Sequence, residues 1–399
     1  MPANSELSHR ERVLLALDRQ PTDRIPIAMV CSAINPPAHK AFETYLREHR
    51  NISVDDYLKP LIDIRRIGPR YVGPQLPQGT DIWGVHRSPT SYGSGSYDEI
   101  DHYPLAKAAN IQDVLDYSWP TPAVFDVSVM PQCIADANKD GEQGGGEYCL
   151  MISNGNIFES AWYMRGFEQI FVDLVEQPDL VHVIFEKLTC FWIEHFRRIL
   201  TASKGRIDLV FTGDDIGGQQ GLLMSLATWK EHIKPYHVRL NQAIHEFGAR
   251  VIYHSDGSIM DAVPELIDMG IDILQALQFD AHGMDSAKLK TLYGDRLGFQ
   301  GGISVQKTLP FGTPGDVRNE VLDRVAILGK NGGYILGPSH AIQAGTPPQN
   351  ILALFDTAAT APLNFSSTPS TYPPTPAHSV PPPSGKAAAD ARPARSPYA

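Results

Sequence analysis

The feature that most constrains the fold is an alternation of short apolar runs with helical patterns, which begins near residue 148. Each apolar run is short enough for a buried strand and is followed by a longer segment with helical periodicity. This alternation is typical of parallel β–α–β units. The predicted strands are residues 149–153, 208–213, 250–254, 272–277, 298–302 and 333–337, and the predicted helices are 157–175, 179–202, 225–247, 259–269, 285–293 and 314–329.

The first part of the chain is less regular. A helix is predicted within residues 1–24, with Ser8 as its N-cap, followed by a buried strand over 25–30 and a helical section over 36–66. The section 68–148 is rich in Gly, Pro, Tyr and Asp. We interpret it as an irregular insertion that decorates the main domain.

Within this insertion the pattern predicts a strand at Asp81–Val85, a turn at Ser91–Gly95 and a mobile loop at Gly141–Gly146. Counting the strand at 25–30, seven strands are visible, so we expect the eighth inside 68–148. The resulting prediction is an α/β fold, a closed (β/α)8 TIM barrel. An open doubly wound sheet is the alternative, but no GxGxxG motif follows the first strand.

The C-terminal segment has a different composition from the rest. Pro, Ser and Ala dominate residues 363–399, and aliphatic side chains are almost absent. Such a segment buries too little apolar surface to offset the entropy lost on ordering. We therefore predict one barrel domain over residues 1–362 and a disordered tail over 363–399.

Composition excludes several classes of function. The 45 acidic and 34 basic residues give a net charge of −11 without a basic stripe, which argues against a nucleic-acid partner. No long apolar run and no signal-peptide pattern occur, so we expect no membrane span and a cytoplasmic location. The four cysteines are scattered without a CxxC pair, so neither a zinc knuckle nor a disulfide framework is indicated.

Polar, titratable residues follow three of the predicted strands. His254 and Asp256 end one strand, Asp214 and Asp215 another, and His340 follows the last. In α/β barrels the chemistry lies at the carboxyl ends of the strands, so these groups are expected at one rim. If Ile252 faces the barrel interior, His254 and Asp256 lie above it at the mouth, since residues two apart share a face.

Imidazole and carboxylate ligands suit zinc or another divalent metal. His254, Asp256 and His340 with an open fourth position would form a catalytic rather than a structural zinc site. The alternative is that His254 and Asp256 only hydrogen-bond to neighbouring loops, because a His-x-Asp pair is a weak signal.

The adjacent acids Asp214 and Asp215 should point in different directions. One would face the mouth as a general acid or base whose pKa is raised by partial burial. The other would cap a helix N-terminus, where a carboxylate accepts bonds from free backbone N–H groups. His254 and His340 complete the predicted catalytic set.

Four further residues are candidates for substrate binding. Arg165 could clamp a carboxylate, or it could pair with Glu159 or Glu168 on its own helix. Asn154 follows one predicted strand, and Gln275 and Gln278 flank the end of another. All four would offer polar groups near the barrel mouth.

Several segments together resemble the uroporphyrinogen decarboxylase superfamily. They are RERVLLALDRQPTDRIPI near the N-terminus and, in order, FTGDDIG, VIYHSDGSI, DILQALQ, GFQGGISVQKTLPFGTPGDV and GGYILGPSHAIQAGTPPQNIL. The resemblance extends to about residue 360 and implies a (β/α)8 barrel. It also implies one of two reactions at the carboxyl face, cofactor-free decarboxylation of uroporphyrinogen or corrinoid-linked methyl transfer that uses zinc.

The chain departs from both branches at the motifs that define them. The methyltransferases carry His-x-Cys and a later Cys, whereas this chain has His254-Ser255-Asp256 and, at the later position, His340. A harder metal would then be favoured. The decarboxylases carry an arginine motif of the form RQAGRYLPEY, but residues 31–37 read CSAINPP.

Three hypotheses follow from this resemblance. The first is metal-assisted methyl transfer on a small-molecule or tetrapyrrole substrate, with a corrinoid co-substrate and a corrinoid protein as partner. The second is decarboxylation of uroporphyrinogen without metal or cofactor, as in porphyrin biosynthesis. The third is a non-catalytic protein that binds a tetrapyrrole or corrinoid.

Overall fold

The computed structural model describes residues 7–31, 33–91, 96–139 and 146–364. The N-terminal helix α1 (His9–Leu17) has Ser8 as its N-cap, in a capping box with Glu11. Val13 and Leu17 of this helix pack with the inward-facing side chains of the strands. The helix therefore closes the amino-terminal end of the barrel. The next elements are α2 (Pro36–Arg50), α3 (Val54–Leu58) and β1 (Ile64–Arg66).

The insertion consists of short elements. Asp81 Oδ1 accepts hydrogen bonds from the backbone N–H groups of Trp83 and Val85, so the strand predicted at Asp81–Val85 is a turn instead. The elements of this section are β2 (Arg70–Tyr71), β3 (His86–Ser91), β4 (Ser96–His102), α4 (Ile111–Leu115), β5 (Phe125–Asp126) and α5 (Met130–Asn138). Two antiparallel pairs form, β2 with β5 and β3 with β4.

Three sequence predictions fall wholly or largely outside the described residues. They are the turn predicted at Ser91–Gly95, the loop predicted at Gly141–Gly146 and the tail predicted over 363–399, of which the structure describes Ser91, Gly146 and residues 363–364.

The second half of the chain forms the strands and helices predicted from periodicity. Glycine and proline divide two of the predicted helices, at Gly166 and before Pro235. The elements are β6 (Cys149–Ser153), α6 (Phe158–Arg165), α7 (Phe167–Glu176), α8 (Pro178–Ser203), β7 (Leu209–Gly213), α9 (Leu226–His232), α10 (Lys234–His245), β8 (Arg250–His254), α11 (Val263–Asp268), β9 (Ile273–Ala276), α12 (Ser286–Tyr293), β10 (Gly298–Ile303), α13 (Thr308–Phe311), α14 (Pro314–Leu328), β11 (Tyr334–Pro338) and α15 (Pro348–Thr360).

Seven parallel strands form one curled sheet in the order β1-β6-β7-β8-β9-β10-β11. Ile27 makes parallel bridges to both Ile62 and Leu336, and so joins the two edges of the sheet. The predicted TIM-barrel class is confirmed. The expectation that the eighth strand lies within 68–148 was wrong, because β1 precedes that section. β1 is three residues long, too short for hydrophobic periodicity to distinguish it from the helical section predicted over 36–66.

Two apolar layers hold the barrel together. The larger lies between the strands and the surrounding helices, and the smaller fills the barrel interior with residues such as Met151, Leu209 and Ile252. Ile252 thus faces inward, as the prediction for the mouth required. None of the described helices is long and apolar enough to cross a membrane.

Candidate active site

The carboxyl ends of neighbouring strands bring several predicted site residues together. His254 is the last residue of β8, and Gln275 is its partner in the register of β9. Each lies two residues beyond an inward-facing isoleucine, Ile252 and Ile273, and therefore projects into the upper end of the barrel. Both side chains are almost fully buried.

Gln275 determines which nitrogen of His254 carries a proton. Gln275 Nε2 donates to the Ser339 carbonyl at 3.3 Å, which turns Oε1 toward His254 Nδ1 at 2.5 Å. Since an amide oxygen only accepts, the His254 Nδ1–H must donate. Nε2 of the neutral imidazole therefore keeps its lone pair, and it lies 3.5 Å from Asp215 Oδ1.

Asp215, Asp256 and His340 surround His254 at the rim. Asp215 Oδ1 accepts a hydrogen bond from the Asp256 backbone N–H at 2.7 Å. Asp256 Oδ2 lies 3.9 Å from His340 Nε2, and the His254 and His340 ring centroids are 6.1 Å apart. Asp256 Oδ1 is buried and accepts no hydrogen bond from any described residue. A ligand that supplies a positive charge or a donor would satisfy this oxygen.

The charges of this cluster shift its pKa values. Burial lowers the pKa of His254, but the Asp215, Asp256 and Glu159 carboxylates outweigh it and raise the pKa above its ordinary value. Burial also raises the pKa of Asp256, and Asp215 raises it further. Both shifts are upward, as expected where carboxylates are crowded in a partly buried site.

Two sets of side chains could hold a metal ion. In each set, the ligand atoms lie within 4.8 Å of one another. One set is Cys31, His254 and His340, and the other is Asp215, His254 and Asp256. Among the described parts of the chain, the predicted combination of His254, Asp256 and His340 is not one of these sets, although its members are neighbours.

Asp214 has a role different from that of Asp215. Its carboxylate is fully buried and accepts hydrogen bonds from the backbone N–H groups of Ile157, Phe158 and Glu159 at 2.9–3.0 Å. His237 Nε2 lies 2.5 Å from its second oxygen. Asp214 thus caps α6 and is not available at the mouth as the predicted acid or base, because all its acceptor positions are directed at donors.

Arg165 is not placed to clamp a substrate carboxylate, so the prediction that it binds substrate was wrong. Its guanidinium is buried, pairs with Asp173 at 2.6 Å and donates to the carbonyls of Leu105 and Ala108 at 2.7 Å. Neither Glu159 nor Glu168 is its acidic partner. The side chain holds the insertion against α6 and α7.

Gln278 and Asn154 also lie apart from the His254 cluster. Gln278 is buried, and its Oε1 accepts a hydrogen bond from the Gly257 N–H at 2.8 Å, so it orders the loop after β8. Asn154 has a left-handed backbone with φ of 98° and lines a separate cleft of about 420 Å³ with Arg66 and His195. Only Gln275 of the four predicted substrate-binding residues contacts His254.

The sequence interpretation overlooked Glu159 as a member of the site. Glu159 lies in the first turn of α6, is buried, and bonds to the Asn156 amide and to the Tyr163 hydroxyl, the latter at 3.1 Å. Burial, with Asp215 and Asp214 nearby, raises the pKa of Glu159 to about 8. An acidic residue just after a strand end was the available signal, but it was considered only as a partner of Arg165.

The raised pKa of Glu159 predicts a pH-dependent stability. The folded state keeps a proton that the unfolded state loses near pH 4.5, so stability present below that pH is lost as pH rises toward about 8. Relative to Glu159→Gln, the wild-type free energy of unfolding should fall by about 1.4 kcal/mol per pH unit within this window. Urea unfolding of both proteins between pH 5 and 8 measures the difference. Parallel profiles would contradict a buried neutral Glu159.

Comparisons with known proteins agree with this architecture. A solved methyltransferase from Methanosarcina mazei matches with a TM-score of 0.61 and 17% identity, over 88% of this chain and 98% of that chain. The likeness shows a common fold. A uroporphyrinogen decarboxylase from Psychromonas ingrahamii is 24% identical over 180 residues. This chain spans about half the length of that relative, since the match covers 46% of it and 44% of this chain.

The family itself is shown by a match over more than half of the chain. The family model described as uroporphyrinogen decarboxylase (URO-D) matches residues 142–361. This range begins just before β6 and ends after α15, so it contains Glu159, Asp215, His254, Asp256 and His340. The chain therefore belongs to the uroporphyrinogen decarboxylase family.

Proposed function

We propose that this chain is an enzyme that catalyses metal-assisted methyl transfer, linked to a corrinoid, at the carboxyl face of its barrel. The observation that supports this most directly is the approach of His254 and His340, from different strands, to a third ligand atom within 4.8 Å. The similarity in fold to a methyltransferase is consistent with the proposal.

The residues at the mouth fit a divalent metal such as zinc. In its neutral form, His254 directs the Nε2 lone pair into the site, because the hydrogen bond to Gln275 keeps the proton on Nδ1. The buried Asp256 Oδ1, which no described residue satisfies, adds negative charge beside it. A zinc ion bound here would lower the pKa of a substrate thiol or alcohol and so make it nucleophilic.

The residues around that position would accept and donate protons and hold the acidic side chains in place. Asp215 lies at the rim with a side chain about one-third exposed, so it can accept a proton from a bound substrate. Glu159 keeps its own proton near neutral pH and can act as the complementary acid. Asp214 holds the N-terminus of α6, and with it Glu159, in place.

Metal analysis tests the proposal directly. Protein purified under metal-replete conditions should contain about one zinc per chain if the site has the tetrahedral ligand set of known zinc centres. His254→Ala should lose that metal, while His49→Ala, a change at an exposed histidine of α2, should retain it. Wild-type protein should also demethylate methylcobalamin in the presence of a thiol such as 2-mercaptoethanol. Protein without bound metal would contradict the proposal.

Metal-free decarboxylation is the second candidate. The neutral Glu159 beside Asp215 favours it, because decarboxylation requires delivery of a proton. Arg165 is engaged with Asp173 and is therefore not free to bind a substrate carboxylate, which disfavours a polycarboxylate substrate. Incubation with uroporphyrinogen and chromatography of the products distinguishes the candidates. Spectral change on adding a porphyrin or cobalamin, without turnover, would indicate a non-catalytic binder.

A further inference from the structure

Cys31 reaches the candidate site from outside residues 142–361, the range that the family model matches. It follows the segment around Ile27 that joins the two edges of the sheet. The Ala28 N–H donates to the Leu336 carbonyl at 2.9 Å, and a bridge between Ile34 and Ile342 lies on the far side of Cys31. These contacts hold Cys31 alongside the loop that carries His340.

The three ligand atoms form a compact set. Cys31 Sγ and one nitrogen from each of His254 and His340 lie within 4.8 Å of one another. In a tetrahedral zinc site, sulfur and nitrogen ligands lie about 3.5 Å apart, given the bond lengths of such centres. Small side-chain rotations would bring the three ligand atoms from within 4.8 Å to this distance.

The position of His340 beside Asp256 favours this set over Asp215, His254 and Asp256. A metal-bound histidine usually directs its other ring nitrogen to a carboxylate or carbonyl. His254 directs Nδ1 to the side-chain amide oxygen of Gln275, and this support is the same in either set. His340 Nε2 lies 3.9 Å from Asp256 Oδ2, so Asp256 is placed beside His340 as an outer partner when His340 binds a metal.

We propose that Cys31 is the thiolate ligand of a divalent metal centre completed by His254 and His340, with Asp256 supporting His340 from outside. This inference rests on the proposed function, because it specifies the ligands of the same metal site. In this arrangement the thiolate comes from residue 31, whereas the position that is Cys in the His-x-Cys motif is Asp256 in this chain. A ligand set of one sulfur and two nitrogens suits zinc better than magnesium or manganese.

Cobalt(II) substitution tests the ligand set independently of catalysis. Metal-free full-length protein titrated with cobalt(II) should develop a near-ultraviolet thiolate-to-cobalt charge-transfer band. Cys31→Ser should abolish the band and weaken zinc binding by more than about 100-fold, beyond the range for outer partners. Cys133→Ser, a matched change on α5, should leave both unchanged. Asp256→Asn should keep the band and weaken zinc binding by about 10–100-fold.

The outcomes separate this inference from the proposed function. One such outcome is that the protein binds one metal ion per chain without showing a thiolate band, and another is that Cys31→Ser binds the metal with unchanged affinity. Either result would overturn the role of Cys31 and leave metal-assisted chemistry intact. No binding of zinc or cobalt by wild-type protein would overturn both. Circular dichroism melts of Cys31→Ser verify that the variant is folded. In the wild-type protein, zinc should protect Cys31 from alkylation by iodoacetamide only in the proposed arrangement.

Discussion

Replacing Asp214 with asparagine is expected to lower the free energy of unfolding by about 3–5 kcal/mol, the usual cost of removing one partner of a buried charged network. The same change at the adjacent Asp215 should lower it by about 1 kcal/mol or less, since that side chain is about one-third exposed. Urea unfolding at pH 7 measures both values. The two variants differ by one position in the chain and introduce the same amide.

The difference follows from the donors that surround each carboxylate. Asp214 Oδ1 accepts from Ile157 and Glu159, and Oδ2 accepts from Phe158 and faces His237. An asparagine amide must direct its NH2 group at one of these pairs of donors, which leaves buried N–H groups without acceptors. Asp215 has one backbone donor, from Asp256.

Asp215→Asn should reduce turnover more than Asp214→Asn does, the reverse of their order in stability loss. Asp215→Asn is expected to reduce methylcobalamin demethylation by roughly 10²–10⁴-fold, the range for a positioned acid–base group, at a stability close to that of wild type. The folded fraction of Asp214→Asn should keep more activity than that. Equal destabilisation by both changes would contradict the assignment of Asp214 to the helix cap.

Removal of His254 or of His340 is expected to abolish nearly the same activity, and removal of both should cost little more. Residues that hold one ligand act as a unit, so their effects on rate are strongly non-additive. Each single alanine variant should therefore lose roughly 10²–10⁴-fold in methylcobalamin demethylation. Measured rates of the two single variants and the double variant establish the coupling.

Measurements of stability in these variants cannot replace measurements of rate as a test of coupling. The two rings are 6.1 Å apart, closer than the separation of about 7–10 Å at which effects on stability become independent. His49→Ala serves as the control, because that histidine is exposed on α2 and contacts Tyr45 of its own helix through a hydrogen bond and ring stacking. Losses of rate that multiply in the double variant would show that His254 and His340 act separately.

Local pattern predicted most of the barrel. Residues 149–153 and 250–254 form β6 and β8 with the predicted bounds, because buried parallel strands are short apolar runs between helical segments. Ser8 caps α1 as expected, since the bond to Glu11 is local. The order of these elements also places His254, Asp256 and His340 at one rim, because parallel strands all end on the same side.

Long-range contacts decided what the sequence alone left open. Neighbouring Asp214 and Asp215 look alike in sequence, but only packing against α6 and His237 makes the first a cap. Arg165 likewise has its acidic partner within eight residues, yet the carbonyls of Leu105 and Ala108 that complete its bonding come from the insertion.

The sequence by itself therefore determined the class of fold, the family and the rim at which the polar groups meet, since these depend on periodicity and strand direction. Only the tertiary structure brought Cys31 to His254, more than 200 positions away, and raised the pKa of Glu159 by burying it among acids. The short distance between Cys31 and His254 and the desolvation of Glu159 arise only when the strands close into a barrel through Ile27. No local sequence pattern contains this information.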